Sequence, residues 1–205
     1  MKTNDILKIL AELIPEPKCA LHYNKDYELL ISVMLSAQST DARVNIVAKD
    51  LYKHSLSELA NMDISEIENI IRSVGTYSRK ALYLKAIATK LINECNGKVP
   101  HNRAYVESLP GVGHKTCNVV FGELFNEPTI AVDTHVTRVS KRLGLARPEA
   151  DVMEIEKKLT ELFPKDKWIR VNNQLILFGR HFCKSKKPAC MNCPFKSICK
   201  EKDLK

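Results

Sequence analysis

The sequence predicts an all-α protein made of many short helices, and three observations carry that reading. Apolar residues recur at three- and four-residue spacing in almost every stretch of the 205-residue chain. Helix-starting polar residues and helix-stopping Gly or Pro fall at the ends of those stretches. No alternating run rich in Val, Ile and Thr stands between hairpin turns.

Taken in order, Ile6, Leu7, Ile9, Leu10, Leu13 and Ile14 line one face of a helix that starts behind Thr3 and Asn4. Leu29 to Leu35 is almost continuously apolar, the pattern of a buried helix. Ser65-Glu66-Ile67-Glu68 reads as a capping box, with Gly75 as the stop. Ala81 to Ile92 is periodic and ends before Gly97 and Pro100, and Asn102 caps a short helix that Pro110 terminates. Helices follow over 114–125, 135–143 (closed by Gly144), 152–163 (closed by Pro164) and 168–182. Neither an internal repeat nor a disordered linker is visible.

The length fits one large domain or two small intertwined ones, and 44% hydrophobic residues suffice for a core. No window approaches 18 consecutive apolar residues, and the N-terminus lacks the basic-then-apolar order of a signal peptide. The expectation is a cytoplasmic protein with no membrane partner. Seven cysteines, an odd number, in a reducing compartment argue against a disulfide framework.

Charge and sulfur gather at one end. Of the formal net +8, residues 183–205 hold +5, from seven lysines against Glu201 and Asp203. Cys183, Cys190, Cys193 and Cys199 lie in the same segment, with six, two and five residues between them. A basic run alone is usually a solvated face. Threaded through four close cysteines, it suggests a ligated knob that presents lysines to an anion, with DNA or RNA as the leading candidate. The spacing alone leaves a four-cysteine zinc site and a [4Fe–4S] cluster equally open. Cys19, Cys95 and Cys117 fall in helical patterns and read as buried small hydrophobes.

Leu109-Pro110-Gly111-Val112-Gly113-His114-Lys115-Thr116 joins two of the predicted helices. Its glycines permit close backbone approach, and the outgoing helix starts with N–H groups that suit a phosphate. Most such turns merely connect elements. Lys115 sharpens the case, although a lysine at a helix start is usually a solvated charge. A typical lysine titrates near 10.4, so a nucleophilic amine at pH 7 needs its proton destabilised by about 4 kcal/mol. The helix dipole and partial burial both push that way. In Pro128-Thr129-Ile130-Ala131-Val132-Asp133-Thr134-His135, an apolar run delivers Asp133 to a helix start, as an N-cap, as a catalytic carboxylate, or as both. His135 reads as a structural hydrogen-bonder.

Together these residues resemble the endonuclease III family of DNA base-excision glycosylases. The resemblance spans essentially the whole chain. It rests on Leu35-Ser36-Ala37-Gln38-Ser39-Thr40-Asp41, Val74-Gly75 with Lys80-Ala81, Leu109 to Thr116, Val132 to His135, and the cysteine spacing. It implies a helix-hairpin-helix over about 102–125 and a [4Fe–4S] cluster on the four cysteines rather than zinc. It also implies two helical lobes flanking a DNA-binding cleft: a six-helix barrel over 19–127, and a cluster domain of 1–18 plus 128–205. Lys115 would be the nucleophile of a glycosylase that removes damaged pyrimidines and nicks abasic sites in double-stranded DNA, with Asp133 as its catalytic carboxylate. Gln38 would fill the gap left by a flipped nucleotide. Gly111, Val112, Gly113, His114 and Thr116 would hold backbone phosphates beside Lys184, Lys186 and Lys187. The enzyme would act as a monomer.

One position departs from the family. Where members often carry a leucine wedge after the glycine matching Gly75, this chain has Thr76 and then Tyr77. The competing readings are an adenine- or thymine-mismatch glycosylase of the same superfamily, a non-catalytic DNA-binding module, and a zinc-only structural protein. Mismatch enzymes tend to lack a lysine at the Lys115 position. The adenine type usually has a further C-terminal domain, whereas this chain ends six residues after Cys199.

Overall fold

The computed structural model describes residues 3–201, so Lys202, Asp203 and Lys205 of the basic tail lie outside the described residues. Eleven α-helices and one 3-10 turn are present and no strand occurs among the described residues, which bears out the all-α reading. The chain divides into two compact units, residues 19–125 and the combination of residues up to 18 with those from 126 onward.

The first unit is organised around α2 (Asp26–Leu35), in which every residue from Tyr27 to Leu35 is buried. It packs against α3 (Asp41–Leu51), α6 (Tyr77–Cys95) and α8 (His114–Phe125), and α6 also packs on α4 (Leu56–Asn61) and α5 (Ile64–Ile71). Glu28 and Tyr52 are among the polar residues that enter this core with partners. The Glu28 carboxylate accepts from the Asn24 and Lys25 amides at 2.7 and 3.2 Å, satisfying donors at the start of its own helix. The Tyr52 hydroxyl donates to the Glu28 carbonyl at 2.7 Å.

The expected capping box at Ser65 is absent. The helix begins two residues earlier, with Asp63 as N-cap, because that start places Ile64 on the same core-facing side as Ile67 and Ile71. The capping boxes with side-chain oxygens stand instead at Ser55–Glu58 and Asp151–Glu154. α5 stops at Ile71 rather than running to Gly75. α6 is longer than the periodic stretch 81–92 and is bounded by two left-handed residues, Thr76 (φ 57°) and Asn96 (φ 51°). Among the three remaining cysteines only Cys117 is fully buried. Cys19 lies in the loop before α2, and Cys19 and Cys95 are half-buried.

The second unit centres on α11 (Trp168–His181), whose Val171, Leu175 and Phe178 are fully buried. It packs on α9 (Thr134–Arg142) and α1 (Thr3–Leu13), while α10 (Val152–Leu162) packs on α9. The buried Gln174 amide donates to the Ile14 carbonyl at 2.9 Å, tying α11 to the end of α1. No helix is long and apolar enough to cross a membrane among the described residues.

Candidate active site

Asn102 caps α7 (Arg103–Glu107) by accepting from the Tyr105 amide at 3.1 Å. The chain then turns through 108–113 into α8, and Val112 N donates to Leu109 O across the turn at 3.1 Å. Gly111 needs to be glycine on two counts: its φ is +74°, and a Cβ would be driven into the ring of Tyr83. Behind the turn, Arg103 Nη1 donates to Asn118 Oδ1 at 2.8 Å and stands 3.4 Å from Glu107 Oε1. Its guanidinium also lies 4.8 Å from the centroid of the Phe121 ring. His114 joins the network, with Nδ1 3.4 Å from Glu107 Oε1 and Nε2 3.2 Å from Asn118 Nδ2. Braced in this way, the short α7 and the longer α8 stand as two arms of a hairpin.

The first bond that returns within α8 runs from Cys117 N to Gly113 O at 3.0 Å. The amides before it lie in the first turn, where the helix itself offers no acceptor. Gly111, Gly113, His114 and Lys115 are exposed, Thr116 is half-buried, and Val112 is buried in the core. The Val112 side chain is buried and its N–H is already bound to Leu109 O, so neither is offered to a phosphate, contrary to the expectation for this residue. The expectation that Lys115 is partly buried is not met, because the second residue of α8 points away from the face that carries Cys117, Val120 and Phe121. Any desolvation of its amine has to come from a bound partner.

Asp133 belongs to the other unit. Ile130, Ala131 and Val132 are buried ahead of it, and Asn172 Oδ1 of α11 accepts from Ala131 N at 3.1 Å. Asp133 is the N-cap of α9: Oδ1 accepts from the His135 and Val136 amides, both at 2.8 Å. The second oxygen takes no part in that cap. His135 Nδ1 lies 3.2 Å from Arg138 Nη2, within hydrogen-bonding reach. Burial holds its imidazole below the ordinary range, and the neighbouring Asp133 charge works against that shift.

Gln38 sits just beyond α2 in the left-handed region, with φ 56°. It lines a surface depression with Ser39, Thr40, Arg43, Ser73 and Gly75. A Cβ on Gly75 would meet Gln38 O at 3.0 Å, so the glycine lets the two loops touch.

The four C-terminal cysteines share one loop, and all are free thiols. Burial pushes the Cys193 thiol up, a backbone hydrogen bond at Phe195 works against that shift, and the neighbouring Cys183, Cys190 and Cys199 add to it. No three such donors stand at metal-holding distance among the described residues. The donor set, four thiols and nothing harder, suits a thiolate-bound metal centre. Lys184, Lys186 and Lys187 are exposed on the same loop.

Sequence reasoning missed what holds this loop. Arg138 Nε donates to Cys183 O at 3.0 Å, and its Nη2 donates to Gly179 O at 2.8 Å. One helical turn later, Arg142 Nη1 donates to Lys184 O at 2.8 Å and lies 3.5 Å from Cys183 Sγ. The signal was the four-residue spacing of two arginines on the helix that Asp133 opens. Phe195 plugs the loop into the core, edge-on to Phe178 at 5.2 Å.

Comparison with known proteins agrees with this geometry. Residues 31–165 match the family model described as HhH-GPD superfamily base excision DNA repair protein. Endonuclease III of Bacillus subtilis (strain 168) is 43% identical over 195 residues, 94% of this chain and 89% of that protein. Endonuclease III of Escherichia coli (strain K12) is 38% identical over 204 residues, 98% and 96% of the two chains. A solved structure described as a trapped endonuclease III–DNA covalent intermediate matches with a TM-score of 0.93 and 42% identity, covering 98% of this chain and 97% of the other. With a family model over most of its length and relatives aligned nearly end to end, the chain belongs to the endonuclease III family of the HhH-GPD superfamily, the base-excision DNA glycosylases and abasic-site lyases.

Proposed function

We propose that this chain removes damaged pyrimidines from double-stranded DNA, with Lys115 as nucleophile and Asp133 as its carboxylate partner. The observation that carries the reading is the exposed Lys115 on the first turn of a braced hairpin helix, in a chain 42% identical to one solved as a covalent complex with DNA. The same lysine disfavours the mismatch-glycosylase alternatives.

The damaged nucleotide leaves the duplex, at a cost of a few kcal/mol that a lesion lowers. Exposed N–H groups at the hairpin hold a backbone phosphate there, and the bound DNA covers Lys115 and excludes water from its amine. The Lys115 Nζ lone pair forms a bond to the sugar C1′ while the bond from C1′ to the base breaks, and the base departs with its electron pair and takes up a proton. Opening of the sugar gives a Schiff base on Nζ. Loss of a C2′ proton then drives out the 3′-phosphate and nicks the strand. Because Oδ1 of Asp133 is committed to the α9 cap, Oδ2 is the oxygen that takes the Lys115 proton and faces the cationic sugar. Gln38 fills the gap in the helix.

Cys183, Cys190, Cys193 and Cys199 would hold a [4Fe–4S] cluster, and the soft, all-thiol donor set supports that assignment. When bound, the cluster supplies a fixed loop conformation that presents Lys184, Lys186 and Lys187 to phosphates. The test uses the purified holoprotein on a panel of duplexes with one lesion each. A brown protein that nicks only lesion-bearing strands supports the reading. Colourless protein purified without air removes the cluster, and failure to nick any lesion removes the glycosylase.

Replacing Lys184, Lys186 and Lys187 together by Gln should weaken binding to every duplex alike. The slope of log affinity against log salt should flatten by about 1 for each phosphate no longer neutralised. An unchanged slope would take the loop out of the interface.

A further inference from the structure

Lys80 is only 4% exposed, and its ammonium faces uncharged oxygens. It donates to Leu35 O at 2.8 Å, to Ala37 O, and more distantly to Ser39 Oγ at 3.4 Å. Three acceptors match the three donors of a lysine. The carbonyls of Leu35 and Ala37 belong to the end of α2, where a helix leaves carbonyls unsatisfied and its dipole is negative. Ser39 Oγ in turn accepts from Gly75 N at 3.0 Å, carrying the link across to a second loop.

A buried charge facing neutral acceptors is costly, and the hydrogen bonds to Leu35 O and Ala37 O offset that cost. Burial indeed pushes the Lys80 amine below the ordinary lysine range. What the ammonium achieves is geometric. Its contacts flank Gln38 on both sides and, through Ser39, reach the residue before Thr76. Gln38 and Thr76 are both left-handed non-glycine residues, at φ 56° and 57°, a strained state that persists only where surrounding bonds enforce it.

We propose that Lys80 is the positioning residue of the strand-distorting apparatus: one buried ammonium locks the Gln38 loop and the Gly75–Thr76 loop together in the arrangement that meets an opened DNA duplex. This rests on the reading of Gln38 as the gap-filling residue.

The experiment compares two substrates of the full-length holoprotein, a duplex with one lesion and a single strand with a preformed abasic site, which needs no base extruded. Lys80→Met should slow single-turnover cleavage of the duplex about 10²-fold, while single-strand cleavage stays within about threefold, since a misplacement near 1 Å has effects of that order. A fluorescent base analogue opposite the lesion should show less opening on binding to this variant. Equal losses on both substrates, or no loss on the duplex, would overturn the proposal. If the melting temperature and visible absorbance show that Lys80→Met does not fold, Ser39→Ala decides instead. It cuts the link to Gly75 and should show the same duplex-selective loss at about tenfold. Failure of the underlying reading looks different. Gln38→Ala cleaving the duplex at the wild-type rate would remove gap filling, and a wild type that cleaves no lesion would remove the glycosylase. The base-opening signal of the Lys80 variant still decides the clamp in either case.

Discussion

Lys115→Ala should leave no borohydride-trapped protein on a duplex that carries a damaged pyrimidine, whereas the wild type should trap as a stable covalent adduct. The effect is expected to be very large, with cleavage reduced by about 10⁴-fold or more, because removing the nucleophile removes the whole covalent route. Binding should change little. Lys115 is exposed on the first turn of α8, away from the face that packs in the core, so the variant should melt within about 0.5 kcal/mol of the wild type. Structure and chemistry therefore separate cleanly at this residue. A wild type that fails to trap, or an alanine variant that traps equally well, would end the lyase assignment.

Asp133→Asn should lower turnover by about 10² to 10⁴-fold, the usual scale of a positioned acid–base group, with DNA affinity nearly unchanged. The substitution is chosen for the cap. Asn accepts at the start of a helix about as well as Asp, so the two 2.8 Å bonds to the His135 and Val136 amides can persist while the charge is lost. Asp133→Ala, by contrast, loses the cap and should cost a further 1 kcal/mol or so in stability. If Asn reduced binding and turnover alike, Asp133 would be a structural cap and no more. The comparison of Asn with Ala thus separates the two duties of one carboxylate.

Legibility in the sequence followed the range of the interactions. The all-α class and the buried α2 were readable because apolar spacing is a local signal. α3 and α4 were not. Asp41 to Leu51 alternates charge with small apolar residues, and α4 has only six residues, so neither stretch shows a strong periodic face, although Thr40 and Ser55 both turn out to cap with their hydroxyls. Lys115 and Asp133 stood out because turn glycines and an apolar run mark where their helices begin. Their surroundings did not. The exposure of Lys115, the brace from Arg138 and Arg142 to residues 41 to 45 positions further on, and the reach of Lys80 across a similar interval to the end of α2 exist only once distant segments pack. Such contacts leave no periodic trace. The single local trace was the four-residue spacing of the two arginines.

Tyr83 and Gly111 illustrate how such packing restricts the descent of the sequence. The ring of Tyr83 occupies the space where a side chain at position 111 would stand, and the left-handed backbone there already disfavours one. The two positions cannot drift independently. A side chain at 111 would need the Tyr83 ring moved aside or replaced by something smaller, and it would still sit at a positive φ. Position 83 is therefore the freer of the two to vary, and what position 111 tolerates depends on what stands there.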